Sequence, residues 1–227
     1  MILFISNYIG FTHLIISALL VGILTIFNTF LNKIQIRKIM LFICSTDLIF
    51  YNLFILKYKF PELINFLPLH LCYLTEIMIF FSLTFNLNKY TKLIFLNSLV
   101  GGLAGLVNTN LTSNMHFIFH LHHYLAHFVL LLFVTYKIKY LKLNIQDILL
   151  SIFQTSIFLF TIIMFNNVFN TNYWFTRTRP NGKNLTLLFP EHPYYLIILV
   201  ILGLIIYFST YLKLKTNNNS SFSNANN

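Results

Sequence analysis

Charged residues are scarce in this sequence, and their scarcity excludes an ordinary soluble domain. Only 9% of the 227 residues are Asp, Glu, Lys or Arg, whereas a soluble domain contains about 25%. The five acidic and fifteen basic residues cannot cover the surface of a soluble protein of this length. Hydrophobic residues make up 57% of the chain, and a lipid environment accounts for this composition because the outer face can then be apolar.

Cysteine is also rare, and the basic residues form no continuous surface. The two cysteines, Cys44 and Cys72, are too few for a disulfide scaffold, and we expect them too far apart to form a disulfide. The net charge of +10 comes from short basic clusters between apolar runs, which is how membrane proteins place their orienting charges. A nucleic-acid partner would need a continuous basic face, so we expect no nucleic-acid binding.

Seven apolar runs are present, each about 20 residues long, which is the length that crosses a bilayer as a helix. They cover residues 10–31, 39–56, 66–85, 93–110, 117–136, 147–169 and 193–212. The N-terminus has no signal-peptide pattern, so we expect the first run to be retained. The runs predict an all-α fold, a polytopic transmembrane helical bundle of about seven spans. We expect one transmembrane domain over residues 1–215 and a disordered polar tail over residues 216–227.

The distribution of Lys and Arg predicts the orientation of the bundle, because these residues concentrate on the cytoplasmic side. With seven spans, ten of the fifteen basic residues fall on the side of the C-terminus and five on the side of the N-terminus. We therefore expect the N-terminus outside, the C-terminus in the cytoplasm, and a multi-pass protein of the cell membrane. Three of the five outside charges, Arg177, Arg179 and Lys183, share one short loop against this rule.

Most histidines and one cysteine fall near the predicted outer ends of the runs. Seven of the eight histidines and Cys72 belong to this group. Polar groups inside a bilayer are costly and usually functional. Their collection at one depth predicts a polar site that faces lipid in the outer leaflet.

Four histidines at the start of the fifth run form a regular pattern. His116, His120, His123 and His127 step by 4, 3 and 4 residues, so they share one helical face, while His122 points elsewhere. Such a face offers metal ligands or a general base, but a helix start at the interface also tolerates histidine. We favour the interfacial interpretation for His116 and His120 and a functional one for His123 and His127. Because no H-E-x-x-H or paired-cysteine signature is present, we expect no metal site and no cofactor.

Cys72 is the candidate nucleophile. A lone membrane cysteine is usually a small packing residue, but His70 lies two residues before Cys72 and Glu76 one turn after it. A base or cation nearby generates the thiolate, which is the nucleophilic form. If the third run is helical from Phe66, Cys72 lies about 9 Å into the membrane. Glu76 would orient or charge a histidine, and Asp47 in the second run is interpreted as a polar residue that pairs helices.

An arginine pair follows the sixth run. Arg177 and Arg179 come after Asn172, Tyr173 and Trp174, and an interfacial anchor is one interpretation because Tyr and Trp suit the headgroup level. The outside position of the two arginines favours contact with the phosphate of a membrane phospholipid, since the guanidinium fork matches phosphate. Asn172 is a candidate oxyanion stabiliser by residue type.

These segments also resemble a known family. The segment LPLHLC from Leu67 to Cys72, the histidine-bearing run ending at His127, NYWFTRTRP from Asn172 and FPEHPYYL from Phe189 are similar to the YwaF-type integral membrane proteins. This family is related to transmembrane protein 164, an acyltransferase that moves fatty acyl chains between phospholipids. The resemblance implies that Cys72 becomes acylated and that His127 is the base. His70, Asn172 and Tyr173 match family segments.

Three hypotheses for the function follow. The first is a cysteine-dependent phospholipid acyltransferase or transacylase, or an esterase if water is the acceptor. The second is a transporter or channel that passes protons or metal along the histidine face, although no inverted repeat supports it. The third is a non-catalytic membrane protein in which the polar residues only join helices. No pattern in the sequence indicates a particular protein partner.

Overall fold

The computed structural model describes residues 10–223, apart from residues 110, 113 and 181–183. Within these residues the fold is all-α and contains no strand, which confirms the predicted fold class. This described part of the chain contains seven α-helices: α1 (Phe11–Phe30), α2 (Lys33–Tyr58), α3 (Leu71–Phe85), α4 (Thr91–Val107), α5 (Phe117–Ile138), α6 (Ile145–Phe169) and α7 (Tyr194–Ser223). Short 3-10 segments cover Phe60–Asn65, Asn88–Tyr90, Tyr173–Phe175 and Leu185–Leu188.

Six of these helices are long and apolar enough to cross a membrane, and the shorter α3 is the exception. With 15 residues, α3 is about 22 Å long, less than the roughly 30 Å of a hydrocarbon core. The chain is therefore a multi-pass membrane bundle. A seventh span, the orientation of the termini and residence in the cell membrane stay predictions.

The helix in the third apolar run begins at Leu71, not at Phe66 as predicted. Residues 66–70 form bends and turns, because Pro68 disfavours helical backbone at the residue before it and has no N–H to donate. Cys72 is consequently the second residue of α3, and the predicted depth of about 9 Å along that helix is wrong. Its side chain lies instead in the first turn of a helix.

Asparagine side chains begin and end several helices. Asn32 and Gln35 form a capping box that starts α2, which explains why this helix begins six residues before the apolar run that predicted it. Asn144 and Asp147 form a second capping box at α6. Asn86 and Asn170 end α3 and α6 in the left-handed region, each with φ 56°, a conformation that asparagine tolerates better than most residues.

Helices α4 and α5 form the centre of the bundle. The buried share of the most apolar stretch is 56% in α4 and 50% in α5, against 11–28% in the other four long helices. Gly101 and Gly105 are spaced four residues apart on α4, a pattern that lets two helix backbones approach closely. The other helices pack around this pair, with α2 and α3 against one side and α6 and α7 against another.

The outer surface is apolar, as a lipid-facing surface must be. Large hydrophobic side chains are exposed along α1, α2, α6 and α7, with Phe30 79%, Phe42 71% and Val168 70% accessible. Bilayer lipid would cover these side chains. Helix α7 continues to Ser223, and residues 224–227 lie outside the described part of the chain. The disorder expected for residues 216–227 stays a prediction.

Candidate active site

A cavity of about 310 Å³ brings the main candidate residues together. Cys72, His70, His123 and His127 all line it, although they come from two distant segments of the chain, the start of α3 and the helix α5. Most of the remaining lining is apolar or aromatic, contributed by α4, α5 and the turn before α3. An apolar pocket with a few convergent polar groups is the form that binding sites usually take.

Cys72 faces the glycine-rich surface of α4. Its Sγ lies 4.0 Å from the carbonyl oxygen of Gly101, and a Cβ atom built on Gly101 would lie 3.3 Å from that sulfur. The side chain is partly buried and the thiol is free. The small residue on α4 therefore leaves the space in which the thiol sits.

His127 is fixed against the next turn of α4. A Cβ atom built on Gly105 would lie 1.7 Å from Cδ2 of the His127 ring, so any larger residue there would force the ring or the helices to shift. The Nδ1 atom lies 2.7 Å from the carbonyl oxygen of His123. Because a carbonyl only accepts, Nδ1 carries the proton and Nε2 is the free acceptor, the tautomer that a general base requires.

Cys72 and His127 contact successive turns of the same helix face. Gly101 and Gly105 are four residues apart, which separates their positions on α4 by about 6 Å. Among the described residues, no direct hydrogen bond joins the thiol to the imidazole; the thiol bonds to the Gly101 carbonyl instead. Catalytic hydrogen bonds are often long before a substrate binds and tighten in the complex.

The first turn of α3 adds hydrogen-bond donors beside the thiol. The first intrahelical bond runs from the Leu74 amide to the His70 carbonyl, 2.9 Å long, so the amides of Leu71, Cys72 and Tyr73 precede the helical ladder. The His70 side chain does not cap them. A helix N-terminus favours negative charge, both on a thiolate and on a developing oxyanion.

Asn166 organises the loop that follows α6. This fully buried side chain donates to the Tyr173 carbonyl at 2.8 Å and to Thr176 Oγ1 at 2.7 Å. Its Oδ1 accepts from Thr171 Oγ1 at 2.7 Å and from the Tyr173 amide at 2.9 Å. All four bonds join one side chain to the residues that connect α6 to the site.

Two aromatic residues join this loop to the segment before α3. Tyr173 donates its hydroxyl to the Ile64 carbonyl at 2.7 Å, and Trp174 donates its indole N–H to the Leu69 carbonyl at 2.6 Å. Burial raises the pKa of Tyr173 to about 12, so the phenol stays a donor. Tyr173 and Trp174 thus hold the turn from which His70 and Cys72 project.

The remaining predicted binding residues lie in the same loop, outside the cavity lining. The Asn172 amide donates to Thr178 Oγ1 at 2.7 Å and accepts from the Arg177 amide at 3.0 Å, so it is committed to loop structure. Arg177 donates to Asn170 Oδ1 at 2.5 Å. Arg179 donates to the Phe189 carbonyl at 2.6 Å.

The histidine face divides between two environments. Of its four members, only His123 and His127 line the cavity, with ring centroids 4.3 Å apart. His116 accepts from the Ile118 amide at 3.2 Å and so caps α5, which suits the interfacial interpretation.

Three further polar residues lie together at the cavity, and one of them, His122, was expected to point elsewhere. His122 also lines the cavity, and its Nδ1 lies 2.7 Å from Asp47 Oδ2 on α2. Asp47 therefore does join helices, as its interpretation from the sequence required. Glu76 does not line the cavity and instead lies beside Asp47 and His122. In the sequence, the sign of this polar group was the presence of Asp47 and Glu76, two carboxylates in the middle of apolar runs.

An apolar exterior around a cavity lined by a thiol and several histidines defines a multi-pass helical membrane protein with an internal cavity that carries a few polar groups. Within that class, the chain belongs to the TMEM164 family, whose family model matches residues 4–211. This match confirms the predicted relationship to transmembrane protein 164, while the narrower YwaF-type assignment stays a prediction. No curated protein and no solved structure matches the chain.

Proposed function

We propose that this protein is a cysteine-dependent acyltransferase or transacylase that acts on membrane phospholipids. The observation that carries the proposal is the position of Cys72 and His127 in one cavity, against successive glycine turns of α4. A thiol nucleophile, an imidazole with a free Nε2 and helix N-terminal amides are the groups that acyl transfer requires.

The first half of the reaction forms a thioester. The thiol proton of Cys72 moves to Nε2 of His127, and Sγ attacks the carbonyl carbon of a phospholipid ester. The negative charge on the carbonyl oxygen is stabilised by the amides of the first turn of α3. The bond between the carbonyl carbon and the alkoxy oxygen then breaks, and His127 returns the proton to the departing lysophospholipid.

The second half transfers the acyl group. The hydroxyl group of an acceptor lysophospholipid gives its proton to His127 and attacks the thioester carbon, and the carbon–sulfur bond breaks. His127 then returns that proton to the Cys72 thiolate. If water is the acceptor, the same sequence releases a fatty acid and the protein is an esterase.

The surroundings of the cavity suit a lipid substrate. Its largely apolar lining accepts an acyl chain, and Arg177 is exposed in the loop that borders the site. We propose that Arg177 and Arg179 contact the lipid phosphate and that Tyr173 and Asn172 hold their loop in position. His70 and His123 are proposed to line the acyl site beside Cys72.

Intact mass spectrometry of the purified protein in phospholipid tests the proposal. We expect an acyl adduct on the wild type that hydroxylamine removes, because hydroxylamine cleaves thioesters. Cys72→Ser should lack this adduct. Cys44→Ala is the matched control, because Cys44 is the other free cysteine, is buried in the core and does not line the cavity.

An adduct that persists in Cys72→Ser and disappears in Cys44→Ala would place the acyl group on the wrong cysteine and refute the proposal. No adduct on any of the three proteins, with intact phospholipid present, would remove its main support. The transporter hypothesis would then be tested by proton flux into proteoliposomes, comparing the wild type with His127→Asn. A flux unaffected by this substitution would leave the non-catalytic hypothesis.

A further inference from the structure

A second polar cluster lies beside the cavity and is not used by the proposed reaction. It consists of Asp47 on α2, Glu76 on α3 and His122 on α5, one residue from each of three helices. One ligand atom from each side chain lies within 4.8 Å of the others. We call these three residues the carboxylate cluster.

The carboxylate cluster is buried and incompletely paired. Glu76 is 0% and Asp47 4% exposed, and His122 Nδ1 contacts Asp47 at 2.7 Å. Both oxygens of Glu76 are buried and have no hydrogen-bond partner within the described part of the chain. In those same residues, the ion pairs of Lys and Arg are made with other carboxylates. A buried carboxylate with no partner is costly, so a positive ligand would stabilise it.

Two tyrosine rings contact the histidine of the cluster. The Tyr51 ring stacks on His122 with 3.8 Å between centroids, and the Tyr73 ring meets it edge-on at 4.7 Å. Asn52 in turn donates a hydrogen bond to the Tyr73 hydroxyl. Because Tyr51, Tyr73 and His122 also line the cavity, the carboxylate cluster borders the cavity through His122.

We propose that Asp47, Glu76 and His122 bind a divalent transition-metal ion of the zinc type. Two carboxylates supply the charge that neutralises a divalent cation, and imidazole favours zinc over magnesium or calcium. Ligands bound at about 2.1 Å can be no more than about 4.2 Å apart. The present spread of 4.8 Å therefore needs only a small side-chain rotation. Three protein ligands leave a coordination position open toward the cavity.

The proposed metal site differs from the expectation, made from the sequence, that the protein binds no metal. The proposal is independent of the proposed acyl transfer. The ion would join α2, α3 and α5 beside the cavity. Through Tyr73 it would also fix the first turn of α3, which carries Cys72. Its expected effect on the unliganded protein is thermal stabilisation, which can be measured without any enzymatic assay.

The test uses the full chain in lipid nanodiscs, stripped with a chelator and titrated with zinc chloride. We expect about one zinc ion per wild-type chain by elemental analysis and a rise in unfolding temperature. Asp47→Asn, Glu76→Gln and His122→Gln should each lower zinc affinity by at least about 10-fold. His120→Gln and Glu62→Gln are matched controls, because neither residue lies in the carboxylate cluster, and both should bind zinc as the wild type does.

X-ray absorption at the zinc edge gives a second measurement that needs no variant to fold. We expect oxygen and nitrogen ligands, with one imidazole and no sulfur. A wild type that binds no stoichiometric zinc would overturn the proposal. So would unchanged affinity in the three cluster variants, or a spectrum with several imidazoles, because the ion would then lie among the other histidines. Loss of the Cys72 acyl adduct in the first experiment would leave this result untouched.

Discussion

Gly105 determines how closely the His127 ring approaches α4. A Cβ atom there would lie 1.7 Å from the ring, so Gly105→Ala must displace His127 or separate α4 from α5. A misplacement of about 1 Å in a catalytic group can cost about 100-fold in rate. We expect Gly105→Ala to form the Cys72 acyl adduct about 100-fold more slowly, measured by the time course of intact mass.

Gly102→Ala is the matched control for this substitution. Its Cβ atom would lie 2.6 Å from the side chain of Leu131 and would not contact His127. Overpacking of this kind costs about 1–3 kcal/mol of stability wherever it occurs. If both variants unfold at similarly lowered temperatures but only Gly105→Ala loses the adduct, the histidine position is the cause. Equal loss of the adduct in both would attribute it to packing alone.

The hydroxyl of Tyr173 joins the loop after α6 to the segment before α3. Tyr173→Phe keeps the ring and removes the donor to the Ile64 carbonyl, which costs about 1 kcal/mol and leaves a carbonyl without this partner. We expect a lower unfolding temperature and slower adduct formation. Tyr194→Phe changes an exposed tyrosine and should change neither quantity. Equal unfolding temperatures for wild type and Tyr173→Phe would show that the Ile64 contact contributes nothing.

The connection between α6 and the site depends on one buried amide. Asn166→Ala removes four hydrogen bonds from the loop of residues 171–176. Because the carbonyl and amide of Tyr173 then lose their partners, the loss is about 2–4 kcal/mol. The neighbouring Asn167→Ala, at an exposed position, should stay within about 0.5 kcal/mol of wild type. Chemical unfolding of both variants in detergent measures this difference, and similar midpoints would contradict the assigned role.

The helices could largely be predicted from the apolar runs, because each long helix must present apolar side chains to lipid. The errors occur where a local contact overrides the run. α2 starts early because Asn32 and Gln35 cap it, and α3 starts late because the turn around Pro68 precedes it. Neither boundary changes the average hydrophobicity of the surrounding residues. Where each of these helices begins is determined by the individual cap and turn residues.

The cavity was only partly predictable, for a related reason. Spacing placed His123 and His127 on one helical face, and both line the cavity. The same spacing set His122 apart, but α2 packs on its other side and supplies Asp47 as a partner. Which helix faces which cannot be derived from the period of one helix. For that reason the carboxylate cluster can be recognised only in the folded structure, where α2, α3 and α5 pack together.

The exposed apolar side chains and the internal cavity are consistent with a bundle that spans the bilayer and takes up lipid from within it. Exposed aromatic and aliphatic side chains cover the peripheral helices, while α4 and α5, which carry the glycines and most of the cavity histidines, are the most buried of the long helices. An acyl chain would enter such a cavity from the membrane leaflet in which the cavity lies. The orientation of the bundle therefore decides which leaflet supplies the proposed substrate.

Cysteine labelling in a Cys44→Ala, Cys72→Ser background tests the predicted orientation. The loop between α6 and α7 contains Glu191, whose side chain is 87% exposed, and the loop between α5 and α6 contains the exposed Lys142. Because the basic residues place the second loop in the cytoplasm, an impermeant maleimide should label Glu191→Cys in intact cells. Lys142→Cys should react only after permeabilisation. The opposite pattern would invert the bundle and make the cytoplasmic leaflet the source of the acyl donor.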